Sequence, residues 1–407
     1  MEEHIEQYLV DYIFQRFELD SPIVYEAKTR TIVYKEFKIT VPELRRNKEP
    51  LLVTQYDIAM PYCRYTNTVE LVGTGADLQL TYDLLGEVYD HLTLTYEKEG
   101  LITSSTEAIF YPILDMKIKL FTIQLKTFVS MPYKSFNGKN FLVGVSHDID
   151  RTGDSFKYRL ITYFFQTLKQ KRPLLFLKGL FGKNEENNFE YIIDKENNFG
   201  TSSTWFVLTR YGLKLNADYH TTDKEFKKAL TLLKDNDREI GIHIPYMELS
   251  VEDVKYEFNK LDNSNEMGMR MHHLRGEYEE LMQLLNEAKI PYDSTFGLNE
   301  CMSYRFGTSV PFHPIIKGKI LEHIYEIPMN IMDLQITDAE KYQKELSKLF
   351  FILNEVGGVC ILNWHNNRFN RTKYGSIWID TFTISLDETL KHNGHLTNMG
   401  QILKYYS

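Results

Sequence analysis

Apolar and polar positions follow two different textures along the 407-residue chain. At its start, MEEHIEQYLVDYIFQRFELD spaces apolar residues at helical intervals among acidic ones, which predicts an amphipathic helix. The extended stretches RTIVYKEFKITV and LTLTYEKEG, with a helical pattern from Ala76 to about Leu92, complete what reads as a small α+β domain. Gly73-Thr74-Gly75 has neither the third glycine of a dinucleotide fingerprint nor the Lys-Ser/Thr of a P-loop and reads as an ordinary turn. From Asn140 the texture changes. Short apolar runs, FLVGVSHDID, STWFVLT, EIGIHI, GMRMHHL, IPYDSTFG, IYEIPMNI and VCILNWH, alternate with longer amphipathic segments. Thr222 with Glu225, Ser250 with Asp253 and Thr337 with Glu340 match the spacing of a capping box, and Gly357-Gly358 stops the helix before the last run. Strand and helix in repeated alternation imply parallel strands joined by crossovers, hence an α/β barrel or a doubly wound sheet.

Composition narrows the classes. With 43% hydrophobic and 25% charged residues the chain can bury a large core, and its length suits about two domains on the usual ~100–200 residues each. We expect a domain boundary between residues 138 and 139, giving an N-terminal α+β domain over 1–138 and the strand-and-helix domain over 139–407. A net charge of −9 excludes the broad basic surface of a nucleic-acid-binding protein. Three scattered cysteines, Cys63, Cys301 and Cys360, cannot build a disulfide framework and suit a reducing compartment. An acidic rather than basic start and the lack of ~18 consecutive apolar residues lead us to expect a cytoplasmic protein without a transmembrane segment.

In either architecture the active site lies at the carboxyl ends of the strands, where the unusual polar residues of this sequence fall. Asp148 and Asp150, two positions apart after FLVGV, leave their strand on one face; one carboxylate can bind a metal while the other takes a proton, or both can cap the next helix. His243 ends an apolar strand, as a ligand or as a hydrogen-bonded structural group. In GMRMHHL, strand alternation points Arg270 and His272 one way and His273 the other. His365 follows another apolar run, with Trp364 beside it and Asn363, Asn366 and Asn367 around it.

The order of these runs resembles the polysaccharide deacetylase superfamily, the NodB-homology carbohydrate esterases, over roughly residues 140–400. The matching segments are Ser146 to Asp150, Gly241 to Tyr246, Arg270 to Gly276 and Leu362 to His365. Tyr292-Asp293-Ser294-Thr295 and Tyr304-Arg305-Phe306-Gly307-Thr308 are similar to a branch whose first motif reads His-Asp-Val-Asp. The resemblance implies a distorted (β/α)7 barrel and the hydrolysis of an N-acetyl group from an amino sugar. It matches Asp148 to the catalytic base, Asp150 and His243 to metal ligands, Arg270 to the residue that orients the base, and His365 to the general acid. Asp293 and Arg305, with Trp364, are then candidate substrate contacts; the first two could equally form a buried ion pair that fixes loops. One departure stands out: the superfamily's second histidine, four residues after the first, is Met247 here. Catalytic zinc normally has three protein ligands, and His272 is the candidate third, with His273 less favoured. A divalent metal, zinc first, and an intracellular amino-sugar or glycan precursor are the expected cofactor and partner. Two rivals remain: a hydrolase of another non-peptide C–N bond on the same barrel, and a non-catalytic carbohydrate-binding relative.

Overall fold

The computed structural model describes residues 1–126, 128–129, 131–152, 163–165, 167–168, 171, 173–174, 176–177, 188–212, 217–245, 249–261 and 267–407, without the side chains at 372–373. Tyr246 and Met247 lie outside the described residues.

Each apolar run of the second texture becomes a strand. Phe141–Ile149 is buried along its whole length, as expected of a strand covered on both faces. On one side it pairs in parallel with Val359–Asn363, and Ile331–Met332 follows beyond that strand. On the other side come Thr204–Leu208, Glu239–Ile244, Met269–Met271, Tyr292–Asp293 and Tyr325–Glu326, again all parallel. The two edge strands, Tyr325–Glu326 and Ile331–Met332, come from the single run IYEIPMNI. Pro328 has no N–H to offer a ladder, and the chain crosses from one edge to the other there. Ile327 N donates to Asp293 O (2.9 Å) on the first edge, and Asn330 N donates to Ile361 O (3.1 Å) on the second. One broken segment thus links the two edges, and the eight parallel strands curl into a distorted half-barrel. Gly394–Thr397 lies outside this count, pairing with the lower half of the first strand, Phe141–Gly144.

The helix signals hold with small shifts. Ser250 and Asp253 form a reciprocal capping box. Lys224–Asp235 instead starts after Asp223, and Ala339–Val356 after Asp338, whose carboxylate accepts from Lys341 N (2.9 Å). In both places an aspartate one position later stands where the threonine was expected, a more strongly preferred residue there, although the Asp223 carboxylate accepts from His220 N (2.7 Å) and not from the helix. The helix Ala339–Val356 ends at Gly357, whose φ of 76° requires a residue without a side chain.

The N-terminal part carries a five-stranded sheet, a two-stranded hairpin and the helices Glu3–Phe14, Leu84–Leu92 and Ile113–Leu125. Two stretches differ from their sequence pattern. Asp77–Leu80 is a strand before the second helix begins. LTLTYEKEG is a left-handed kink at Leu94 followed by the short helix Thr95–Lys98, because burial of Leu92, Leu94 and Tyr96 overrides the local preference for extended chain. Cys63, Cys301 and Cys360 are all free. No helix among the described residues is long and apolar enough to cross a membrane.

A buried ion pair ties this part to the barrel loops. Asp115 accepts from Arg16 Nη1 (2.8 Å), Thr308 Oγ1 (2.9 Å), Ser309 N (2.6 Å) and Ser309 Oγ (2.6 Å), and both charged side chains are buried. Asp115→Ala strands the Arg16 charge, so it is expected to cost about 3–5 kcal/mol of unfolding free energy. The urea midpoint measures that loss.

Candidate active site

Register decides which side chains meet at the rim. In the parallel ladder His243 stands opposite Arg270, and Asn363 opposite Ser146. Paired positions share a face, and so do positions two apart, so Ser146, Asp148, His243, Arg270 and Asn363 all face inward. Gly241 helps: a β-carbon there would stand 2.6 Å from the Phe206 ring, over which Arg270 stacks at 4.3 Å.

Asp148 is held at both oxygens. Arg270 Nη1 donates to its Oδ1 (2.9 Å) and Asn363 Nδ2 to its Oδ2 (2.8 Å). The fully buried Arg270 is itself fixed by Ser146 Oγ (3.1 Å), Ser294 Oγ (3.0 Å) and Ser294 O (3.1 Å). Burial by itself would raise the Asp148 carboxyl, but the charge of Arg270 and then the imidazoles of His243 and His365 hold it below the usual carboxylate range.

Asp150, His243 and His272 present ligand atoms all within 4.8 Å of one another. Asp150 Oδ1 is 3.7 Å from His243 Nε2 and 3.6 Å from His272 Nε2. Two atoms each ~2.0–2.2 Å from one tetrahedral zinc would be about 3.3–3.6 Å apart, so the spacing fits. The donors also fit in kind. His243 Nδ1 donates to Arg270 O (2.9 Å), which leaves the lone pair on Nε2. That nitrogen and Asp150 Oδ1 are both buried with no hydrogen-bond partner. Burial pushes His243 down to about 4, against the pull of the Asp148 carboxylate, so the ring is neutral as a metal ligand requires. Burial also works against the Asp150 charge, yet the neighbouring imidazole of His272 first, and then that of His365, keep that carboxyl well below its ordinary value.

His272 faces this cluster, on the side that alternation shares with Arg270, but it does so from beyond the strand. The strand stops at Met271, and His272 turns inward from the short turn that follows. His273, at a φ of 62°, stacks on His272 with ring centroids 3.8 Å apart and remains exposed.

His365 Nε2 stands 4.0 Å from Asp148 Oδ2 and 3.8 Å from Asp150 Oδ2. Behind the ring lies Asp333, which accepts from His365 N (2.7 Å) and contacts Nδ1 at 3.0 Å. Burial opposes the imidazolium, but Asp333 outweighs it and lifts His365 to about 9. Asp333 and Asn363 carry no role in the sequence reading. The sequence sign for Asp333 was an acidic residue just after the apolar run IYEIPMNI.

The other singled-out residues are placed differently. Trp364 is fully buried in the layer outside the strands, its Nε1 donating to Trp378 O (2.8 Å). Arg305 forms a two-pronged pair with Glu97, both bonds 2.7 Å. Asp293 accepts from Thr295 N (2.8 Å) and Oγ1 (2.7 Å) and faces Glu326 on the next strand. Among the described residues none of the three hydrogen-bonds to Asp148 or Asp150, and Asp293 and Arg305 make no ion pair with each other.

Burial raises Asp293 to about 6, and burial together with Asp293 raises Glu326 as well. A carboxyl whose pKa is higher in the folded chain stabilises the fold at low pH, and this contribution is lost as pH rises from ~4 through 6. Glu326→Gln supplies a neutral partner that can donate at any pH. Melting curves at pH 5 and pH 8 are therefore expected to lie closer together for Glu326→Gln than for the parent chain.

The rim continues into a groove of about 550 Å³ lined by Arg210, Tyr211, His220, Tyr256 and Lys260 among others. Tyr219 Oη donates to Ile149 O (2.7 Å), which brings this loop against the strand end that carries Asp150. Tyr211 stacks on His220 (3.9 Å between centroids), and the Tyr256 ring is 59% exposed.

No protein-family model matches this chain, and no curated protein matches it. Among solved structures, a candidate polysaccharide deacetylase from Mycobacterium smegmatis is similar at a TM-score of 0.44 and 14% identity, over 68% of this chain and 93% of that one. A CE4 family pseudoenzyme from Bacillus anthracis is similar at a TM-score of 0.32 and 9% identity, over 67% of this chain and 68% of that one. Both likenesses are distant, and the chemistry is carried by the side chains at the strand ends.

Proposed function

We propose that the barrel is a metal-dependent hydrolase that removes N-acetyl groups from an amino sugar or a polysaccharide precursor, with residues 1–138 as an accessory domain and 139–407 as the catalytic one. The observation that carries this reading is the meeting, at one rim, of a fixed carboxylate, an Asp-His-His ligand set and a histidine held in its charged form. Asp150, His243 and His272 would hold the ion. A divalent ion held there, zinc first for a donor set with two imidazoles, supplies Lewis-acid polarisation of the amide carbonyl and acidifies a water.

The remaining work falls to the chain's own groups. Asp148 is ionised at neutral pH and accepts the proton of the attacking water; Arg270 and Asn363 fix the direction of its lone pairs. His365, charged below about 9, donates a proton to the departing nitrogen, which a sugar amine needs because an amide anion leaves poorly. A base and an acid within 4.0 Å of each other are thus kept in opposite protonation states at one pH by their surroundings. The resemblance in motif order supports the N-acetyl group, and the aromatic faces of Tyr211 and Tyr256 beside the rim support a saccharide.

The test is metal analysis of the purified chain combined with a panel of N-acetylated sugars and small cyclic amides. The expected result is one divalent ion per chain and release of acetate from an acetylated sugar. Opening of a cyclic amide without acetate release would replace the substrate class. Glycan binding with neither stoichiometric metal nor turnover would end the catalytic reading.

A further inference from the structure

His147 lies between Ser146 and Asp148 on the first barrel strand and takes no part in the chemistry at the rim. Strand alternation turns it away from the site, into the layer outside the strands. There its fully buried ring packs against Trp205 (4.4 Å between centroids), Phe382 (5.7 Å) and Phe369 (6.1 Å). A histidine buried among aromatic rings needs partners for its nitrogens, and this one has two that differ in consequence. Nε2 meets Glu196 Oε1 at 2.8 Å. Glu196 is fully buried too; its Oε2 accepts from Ser203 Oγ (2.9 Å) and stands 3.0 Å from Arg238 Nε, so the group behind the ring is itself fixed. Nδ1 donates to Trp364 O (2.7 Å).

That carbonyl belongs to the peptide group that leads into His365. The other end of the same group, His365 N, donates to Asp333 Oδ2 (2.7 Å). A peptide group is a rigid plane. A donor on its oxygen and an acceptor at its N–H therefore fix its orientation together, and with it the direction in which the His365 side chain leaves the backbone. The preceding peptide is tied as well, with Trp364 N donating to Ser146 O (3.0 Å). The ring that holds the carbonyl sits on the residue next to Asp148, so the acid is aligned from the base's own strand. His365 Nε2 and Asp148 Oδ2 stand 4.0 Å apart.

We propose that His147 is a positioning residue, which through Nδ1 clamps the peptide that carries His365 and so sets the acid against the base. Its side chain acts only through that peptide. The kinetic part of this role rests on the reaction proposed above; the geometric part does not. A histidine that merely filled the outer layer would contribute through both of its hydrogen bonds alike, whereas a positioning residue depends on one of them.

Two substitutions separate the bonds. The amide nitrogen of asparagine falls near the position of Nδ1, and that of glutamine near the position of Nε2. His147→Asn therefore keeps the bond to Trp364 O and loses the one to Glu196, and His147→Gln does the reverse. His147→Gln is expected to lower kcat for acetate release about 10²-fold, the cost of a displacement of about 1 Å, with KM and metal content unchanged. His147→Asn is expected to keep kcat within about fivefold of the parent chain. A loss in His147→Asn as large as that in His147→Gln, a loss confined to KM, or no loss in either variant would each overturn the proposal. Crystal structures of the same variants read the clamp without turnover. In His147→Gln the peptide before His365 is expected to turn and His365 Nε2 to shift by about 1 Å or more, while in His147→Asn both stay in place. An unmoved His365 in His147→Gln would overturn the clamp even where the rates differ. Should His147→Gln fail to fold, His147→Phe suits the aromatic surroundings, makes neither bond and carries the same expected loss and shift. A parent chain that releases no acetate removes the proposed reaction, and the shift alone then decides the clamp.

Discussion

Asp148→Asn is expected to lower acetate release by roughly 10²–10⁴-fold, the usual contribution of a general base, while the purified variant keeps its metal. Asparagine preserves the shape, and its carbonyl can still accept from Arg270. Its amide nitrogen would face the amide nitrogen of Asn363, but Asn363 Oδ1 is buried without a partner, so rotating that amide restores a hydrogen bond. What cannot be restored is the proton acceptor. The substitution also leaves Arg270 buried beside a neutral group, so a fall of about 3 kcal/mol in stability should accompany the kinetic loss. Rates must be measured well below the variant's melting temperature. Retained turnover at parental metal content would remove Asp148 from the base role.

His272→Ala and His273→Ala should separate sharply. Removing His272 leaves only Asp150 and His243 facing one another, too few for a catalytic zinc site. Loss of a group behind a ligand already costs about 10–100-fold in affinity, so loss of the ligand itself should weaken binding by more than about 100-fold, with activity lost in parallel. His273→Ala removes only a stacked ring and is expected to keep metal and most of the rate. Dialysis against a chelator, with metal measured per chain, reads both variants. A His272→Ala protein that retains stoichiometric metal would mean that another residue completes the site.

Much of this arrangement was legible along the chain because parallel strands buried on both faces must be continuous apolar runs, and the first polar residues after them must lie at the rim. Asp148, Asp150, His243 and Arg270 emerge that way, and the structure gathers them. The two-residue spacing of the aspartates was enough to place both on one face. The partners of these groups were not legible. Arg270 is 122 residues from Asp148, Asn363 is 215 away, and Asp333 reaches His365 across 32 residues. No local pattern reports such a pairing, because it depends on strand register. The same limit applies to the residues placed elsewhere: Trp364 sits beside His365 in sequence, yet alternation turns its ring into the outer layer.

By itself, then, the order of apolar and polar residues determined parallel strands alternating with helices, as a barrel or a doubly wound sheet, after a stretch of different texture, and determined which strand ends carry ionisable groups, since burial and backbone period are local properties that the sequence expresses directly. Only the tertiary structure decided that one broken segment around Pro328 links the sheet edges, that the strand ends at Met271 so that His272 faces inward from the turn beyond it, and that Asp333 keeps His365 charged. Each of these depends on the height of one strand against another and on the electric field of groups remote in sequence, which exist only once the chain has folded.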